Sequence, residues 1–372
     1  MPRVPAAGRD PLVWLTAAGL SGLLLAPALG PHVVLVRDMV AVPRMSWLPA
    51  WFGLGPTLPR AVPEDAVAAT ASMLAPGWVW QQLALVGALV LLGVGAARLA
   101  DPPGRGLRAV VVVLAIWNPW VAERLAQGNL SLLVMLGALP WLLVAARRVR
   151  RGEAGAWRAL LGWTALGSLV PTAGAISAGL ALAVVLGPGA RGTRRVAAAA
   201  GVVVLQLPWL VPALVHPAAG SSDTAGAGVF GLRSEGPWGA LLTGLGGGGI
   251  WNAEALVPSR GWWTSPVLAV LLVVLAAAGW RGLTARLGRA VPAALLLAAV
   301  GALAWGLLTA WAPGAAGVVV GWPGGGLLRD AHKWLAPGVL LLALAAPWGL
   351  LRLPRAATDA GVRALAATAL AL

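Results

Sequence analysis

Cysteine and tyrosine are absent from this 372-residue chain, phenylalanine occurs twice and lysine once, and charged residues make up only 10% of it. Each absence excludes something. Without cysteine there is no disulfide, no thiolate nucleophile and no cysteine-based metal centre, whatever the redox state of the compartment. Without tyrosine, and with so little phenylalanine, there is no platform of such rings on which bases could stack, and so few charges leave no room for a basic groove. The formal charge of +15 therefore does not point to nucleic acid. One lysine among 27 basic residues, together with 50 glycines, looks like the product of a GC-rich genome such as an actinobacterium's. That inference concerns codons rather than chemistry.

What is present is apolar: 59% of the residues are hydrophobic. Runs long enough to cross about 30 Å of hydrocarbon lie at 12–30, 78–97, 129–146, 196–215, 290–311 and 334–350, with shorter ones near 109–120 and 265–280. The first run follows Arg3 and Arg9 and ends in Ala26, Pro27 and Ala28. Because many further spans follow, it reads as an uncleaved anchor rather than a secretory signal. The stretch 157–187 is interrupted at 171–174 and has basic loops on both sides, so it must cross twice as two short helices or enter and return as a hairpin. The expected fold class is all-α: a polytopic transmembrane bundle of about ten spans, forming one domain over 1–372. The apolar segment 364–372 reads as the start of an eleventh span in an incomplete chain.

Charge gives the orientation. One set of alternating loops, beginning with the N-terminus, holds 19 of the 27 basic residues and 4 of the 12 acidic ones. The other set holds eight of each. This is the positive-inside pattern, which puts the N-terminus in the cytoplasm and the mixed-charge loops outside the cell membrane. The net positive charge is thereby explained by topology.

The outer loops, at roughly 31–77, 117–128, 216–264 and 312–333, carry the remaining polar chemistry and are expected to hold short interfacial helices. Arg37 and Asp38 follow the first span closely, and an isolated carboxylate near a membrane surface is a functional candidate by default. Glu64 and Asp65 come directly after Pro63, where the start of a helix favours anions, and read as capping residues. Asn118, Pro119 and Gly128 predict a short helix with an Asn cap, Pro at its first position and Gly after its end. Its Trp117, Trp120, Val121 and Leu125 would face the apolar side, while Glu123 and Arg124 would point to headgroups or to other outer loops.

In the largest loop a glycine-rich run, 244–249, precedes Trp251, Asn252 and Glu254. No Gly-Lys-Ser/Thr follows, which removes a phosphate-loop reading. Flexible backbone beside tryptophan suggests a mobile flap on which a sugar could stack, with Asn252 to bind hydroxyls. The segment containing Arg329, Asp330, His332 and Lys333 holds the only lysine and one of three histidines. Its cations would bind a phosphate, with Asp330 orienting one of them.

Taken together, these loops resemble the GT-C superfamily of multi-pass membrane glycosyltransferases, particularly actinobacterial arabinosyl- and mannosyltransferase-like proteins. The resemblance rests on topology and on Arg37-Asp38 standing in the first outer loop, where those enzymes carry an acidic catalytic residue. It implies an inverting transfer of sugar from a polyprenyl-phosphate donor to a cell-envelope glycan or lipid acceptor on the outer face, with membrane lipid as a further partner. Asp38 would be the general base, and Arg329 and Lys333, with Arg37 or Arg124, would stabilise the leaving phosphate. Many members carry paired acids in the first loop, and here Glu64 and Asp65 are its only adjacent pair. No cofactor is assigned, and a divalent cation at the phosphate is left open. The alternative reading is a transporter or flippase of lipid-linked saccharides, or a non-catalytic scaffold of envelope assembly.

Overall fold

The computed structural model describes residues 7–55, 61–189, 192–216 and 222–353. It is 73% helical and has no strand among the described residues. The helices in chain order begin with α1 (Pro11–Leu25), α2 (Glu64–Leu74), α3 (Gly77–Ala100), α4 (Arg105–Ile116), α5 (Pro119–Gln127) and α6 (Leu130–Arg150). There follow α7 (Ala156–Leu166), α8 (Pro171–Leu186), α9 (Thr193–Val204), α10 (Leu207–Val215), α11 (Gly226–Val229) and α12 (Gly239–Leu245). The last are α13 (Thr264–Leu287), α14 (Ala290–Trp311), α15 (Pro313–Val320) and α16 (Ala336–Leu350).

Seven helical segments are long and apolar enough to cross a membrane, or eight if α9 and α10 count as one span bent by 54°. The bend has a local cause. Pro208 has no N–H to continue the ladder, and the Gln206 amide beside it donates to the Val202 carbonyl at 3.0 Å and accepts from the Trp209 indole at 3.0 Å. The ten crossings expected from the sequence are not reached on length. The stretch 157–187 forms two helices, but α7 and α8 have 11 and 16 residues. At 1.5 Å per residue they rise only about 16 and 24 Å. The proposed eleventh span, and the flanking Arg3, Arg60, Arg191, Arg355 and Arg363, lie outside the described residues.

The interior is built from α3, α4, α6 and α16, whereas α13 and α14 are largely exposed around it. Close approach depends on glycine. At the crossing of α13 and α16, a Cβ on Gly279 would stand 2.0 Å from the Ala345 carbonyl oxygen, and one on Gly349 would stand 2.0 Å from that of Leu275. Small residues of this kind let helices meet backbone to backbone, which is the main attraction available where lipid removes the hydrophobic driving force.

The two ends of the bundle differ in kind. One gathers arginines at short turns: Asp10, fully buried as the cap of α1, is held by Arg105 at 2.8 Å and Arg108 at 3.6 Å. The other carries the long connections and an exposed fringe of Trp47, Trp262, Trp263, Trp311 and Trp322, as expected where a protein meets the bilayer surface. Several apolar helices of spanning length, fringed in this way, make this a membrane protein. Gly279→Val should lower the thermal unfolding midpoint in detergent by the equivalent of about 1–3 kcal/mol, the usual cost of overpacking. Gly22→Val, where the structure has open space, should change it far less; equal losses would contradict the role given to the α13–α16 contact.

Candidate functional site

The first polar loop is pinned against α5 rather than left in solvent. The Gln81 amide, fully buried on α3, both donates to and accepts from the backbone of Val34, at 2.8 and 2.7 Å. A single antiparallel bridge joins Val36 to Met39, and Arg37 at the turn takes a left-handed φ of 46°. This turn sits directly on Gly128, whose own φ is 81° and whose added Cβ would strike the Val36 carbonyl and Met39 N–H. Arg37 closes the junction by donating to the Ala126 carbonyl at 2.5 Å and the Glu254 carbonyl at 2.7 Å. Asp38 is exposed at the rim, and its Oδ2 accepts from Gln127 Nε2 at 3.0 Å and Asn129 Nδ2 at 2.9 Å. Among the described residues no hydrogen-bond donor reaches its Oδ1.

The short helix forms as the sequence predicts. The Asn118 side chain accepts from Val121 N–H at 3.0 Å, Pro119 opens α5, and Gly128 ends it. Its polar residues are not solvated, however: Glu123 and Arg124 are as fully buried as Trp120 of the apolar face, covered by the segments before α13 and α16. Arg124 grips Asp330 with two parallel bonds, Nη1 to Oδ2 and Nη2 to Oδ1, both 3.0 Å, and Nη1 also donates to Asn129 Oδ1 at 2.8 Å. Burial alone would raise the Asp330 carboxyl, but the charges of Arg124 and Lys333 and the Arg124 bonds outweigh it and hold it below the usual range.

His332 is fixed as a neutral ring. A guanidinium can only donate, so Nδ1, 2.7 Å from Arg124 Nη2, must be an acceptor. Nε2 therefore bears the hydrogen and donates to the Gly247 carbonyl at 2.9 Å, with Glu123 Oε2 3.4 Å away. Glu123 also accepts from Ile250 N–H at 3.1 Å and lies beside Glu235, itself bonded to Arg260 at 2.7 Å and to Gly249 N–H. The glycine-rich run is the backbone of this cluster. Gly247 and Gly249 have φ of 83° and 108°, and a Cβ on Gly248 would stand 2.3 Å from a Glu235 oxygen. The expected mobile flap is thus a buried strap.

The structure joins the first loop to the segment before α16 through two side chains: Asp38 to Asn129, Asn129 to Arg124, and Arg124 to Asp330. Asn252 enters the same network by donating to Gln127 Oε1 at 2.8 Å. The cations do not form the single cluster expected. His332 is uncharged and buried, and Lys333 is drawn to Asp330 at 3.5 Å. Arg329 lies instead over the Phe230 ring at 4.2 Å, and Trp251 meets the same ring edge-on at 4.7 Å. Arg329 and Arg233, the latter donating to the Trp251 carbonyl at 2.7 Å, have no carboxylate partner among the described residues. Gln127, Asn129, Phe230, Glu235 and Arg260 escaped sequence reasoning as site residues. Only Asn129 offered a signal, as the residue after the helix-ending glycine that faces the Asp38 turn.

Beneath this network α13 and α14 splay apart over α16, leaving an apolar cavity of about 540 Å³ lined by residues such as Ala276, Trp280, Leu303, Leu341 and Gly338. It ends at Gly244 and Gly247, so its upper wall is the same Gly247 whose carbonyl His332 holds. Among the described residues no three His, Asp or Glu groups gather as metal ligands. Comparisons with family models, with curated proteins and with solved structures find no match.

Glu64, the other first-loop acid, opens α2 and donates its N–H to the Leu169 carbonyl at 3.0 Å. Burial pushes its carboxyl up to about 7, with the nearby Ser131 hydroxyl opposing the shift and Asp65 adding to it. A raised folded value means that the fold favours the protonated form, so this contribution to stability is full below the unfolded value of 4.5 and is lost as pH rises through about 7. Glu64→Gln, which fixes the neutral state, should therefore raise the unfolding midpoint more at pH 8 than at pH 5. An equal effect at both would contradict the assignment.

Proposed function

We propose that this chain is an integral membrane glycosyltransferase of the inverting kind, moving a sugar from a polyprenyl-phosphate donor to a cell-envelope glycan or lipid acceptor. The observation that carries the reading is the apolar cavity ending under a polar network whose rim presents a carboxylate. A lipid-linked donor is a long hydrocarbon joined to a charged head, and the cavity and rim offer surfaces of those two kinds in that order. Within the spanning helices no charged side chain of the described residues lies between the two ends, which favours chemistry at the surface over a charged path through the bundle.

In this reading α7 and α8 complete the ten crossings as a pair of short helices against α6, the arginine-rich end is cytoplasmic and the loop end is outside. The acceptor hydroxyl gives its proton to Asp38 Oδ1 as its oxygen attacks the anomeric carbon, and the bond from that carbon to the phosphate oxygen breaks on the opposite face. Polyprenyl phosphate leaves with the bonding pair. It needs charge stabilisation rather than protonation, which Arg329 supplies together with Arg233 and Lys333. Asn129 and Gln127 keep the carboxylate aimed, and Trp251 and Asn252 border the sugar.

Asp38→Asn keeps the volume and the hydrogen bonds but cannot accept a proton, so transfer by membranes supplied with polyprenyl-phosphate sugars should fall on the order of a hundredfold or more while the protein stays folded. Arg329→Ala should weaken donor capture as well as slow the reaction, because its charge attracts the phosphate before and during transfer. Undiminished transfer by Asp38→Asn would remove it as the base, and no transfer by the unmutated chain with any donor would favour a transporter or scaffold. The orientation has its own test: a cysteine replacing Ser222, in a chain with none of its own, should react with an impermeant reagent from outside the cell. Labelling only from the cytoplasm would sink the topology and the site with it.

A further inference from the structure

At the arginine-rich end, remote from the network just described, lies a cavity of about 510 Å³. Six arginines line it: Arg9, Arg98, Arg147, Arg148, Arg151 and Arg286, against the two acids Asp101 and Glu153. The acids are already engaged. Asp101 serves Arg108 at 2.9 Å and Arg286 at 2.8 Å, and Glu153 serves Arg148 at 2.6 Å. Arg9, Arg98, Arg147 and Arg151 form no ion pair among the described residues, and on Arg147 the attraction of Glu153 is opposed by the repulsion of Arg151 and Arg286. Arg98 rests on the Trp141 ring at 5.2 Å. Arg147 reaches only the Arg286 carbonyl, at 3.2 Å, and its buried Nε has no acceptor.

The ordinary account of such arginines is topological: positive charge is retained on one side of a membrane. That account needs charge near the span ends and does not need it to converge. Here the turn before α1 and the ends of α3, α6 and α13 bring it to one cavity wall, where like charges repel. The helix ends help, since each C-terminus carries about half a negative charge. Three of them offset only part of the four positive charges left after pairing.

The geometry points to a phosphate-bearing anion as the ligand of this cavity, held by Arg147 and Arg151 with Arg9 and Arg98 beside them. Guanidinium groups fit phosphate oxygens two at a time, and an acceptor is what the Arg147 Nε lacks. The same chemistry occurs in the headgroup of an anionic lipid and in soluble phosphate. The inference does not rest on the transferase reading.

The test uses the full chain in lipid nanodiscs, with the thermal unfolding midpoint read at constant ionic strength. One arm adds inorganic phosphate to phosphatidylcholine discs, and the other replaces part of that lipid with phosphatidylglycerol. At least one should raise the midpoint, and which one does so names the source. Arg147→Gln with Arg151→Gln should weaken the effect about tenfold or more, as expected on losing charge-assisted bonds. The exposed Arg9→Gln should act in the same direction and decides the matter if the double variant does not fold. Arg194→Gln makes the same charge change at the neighbouring start of α9, outside the cavity, and should leave the effect intact. Protection by neither probe, or an equal loss with Arg194→Gln, would reduce the cluster to diffuse positive charge.

Discussion

The fully buried guanidinium of Arg124 is the constraint around which the loop end of this protein is organised. Removing a charge from water costs several kcal/mol unless it is paired and hydrogen-bonded; Arg124 is paired with Asp330, and its two terminal nitrogens are taken up by Asp330, Asn129 and the His332 ring, while its Nε alone lacks an acceptor among the described residues. The partners bring two different stretches of chain to α5: Asp330 and His332 fix the approach to α16, and Asn129 fixes the start of α6 and, through it, Asp38. His332 in turn sets the glycine strap by its bond to Gly247. Taking away Asp330 would strand a buried charge, and taking away Asn129 or His332 would leave a buried donor unmet, so the network defines one arrangement of four distant segments and resists partial rearrangement.

The strap explains how polar and apolar surfaces come to adjoin. A residue with a side chain at 247 or 248 would meet Val339 or the Glu235 carboxyl. Glycine lets the backbone itself be the wall between the Glu123, Glu235 and His332 cluster above and the cavity among α13, α14 and α16 below. Because α13 and α14 meet α16 but largely miss each other, that cavity opens between them and is lined by carbon. A bare backbone wall has a further consequence: it offers carbonyls and N–H groups at fixed positions without adding side-chain bulk to the junction.

What could be read in the sequence was what is local. The cap, proline and terminal glycine of α5 specified its limits to the residue, and the long apolar runs specified α3, α6, α14 and α16. Burial of the polar face of α5 was not legible, because the composition of that face is the same whether it meets water or a buried counter-ion. Arg124 and Asp330 are 206 residues apart, and with eight bases and eight acids in the loops of that end nothing local selects this pair. Arg329, His332 and Lys333 read as one cationic cluster, with Asp330 orienting one of them, because the four are consecutive or nearly so. An irregular 3₁₀ turn from Ala331 to Leu335 instead sends them different ways.

The same bookkeeping of charge distinguishes the two ends. At the loop end acids and bases balance, and the best-buried cation holds structure, so the cations without a carboxylate partner there stand at the rim, Arg329 over the Phe230 ring and Arg233 on the Trp251 carbonyl. At the opposite end two acids answer six arginines around one cavity, and no rearrangement within that set can pair them all. A structural network tolerates little surplus charge, because unpaired groups must either reach solvent or repel one another. Surplus charge that stays gathered around a cavity therefore marks where a counter-charge from outside the chain would be held, whereas balanced charge, even when more deeply buried, marks where the chain holds itself.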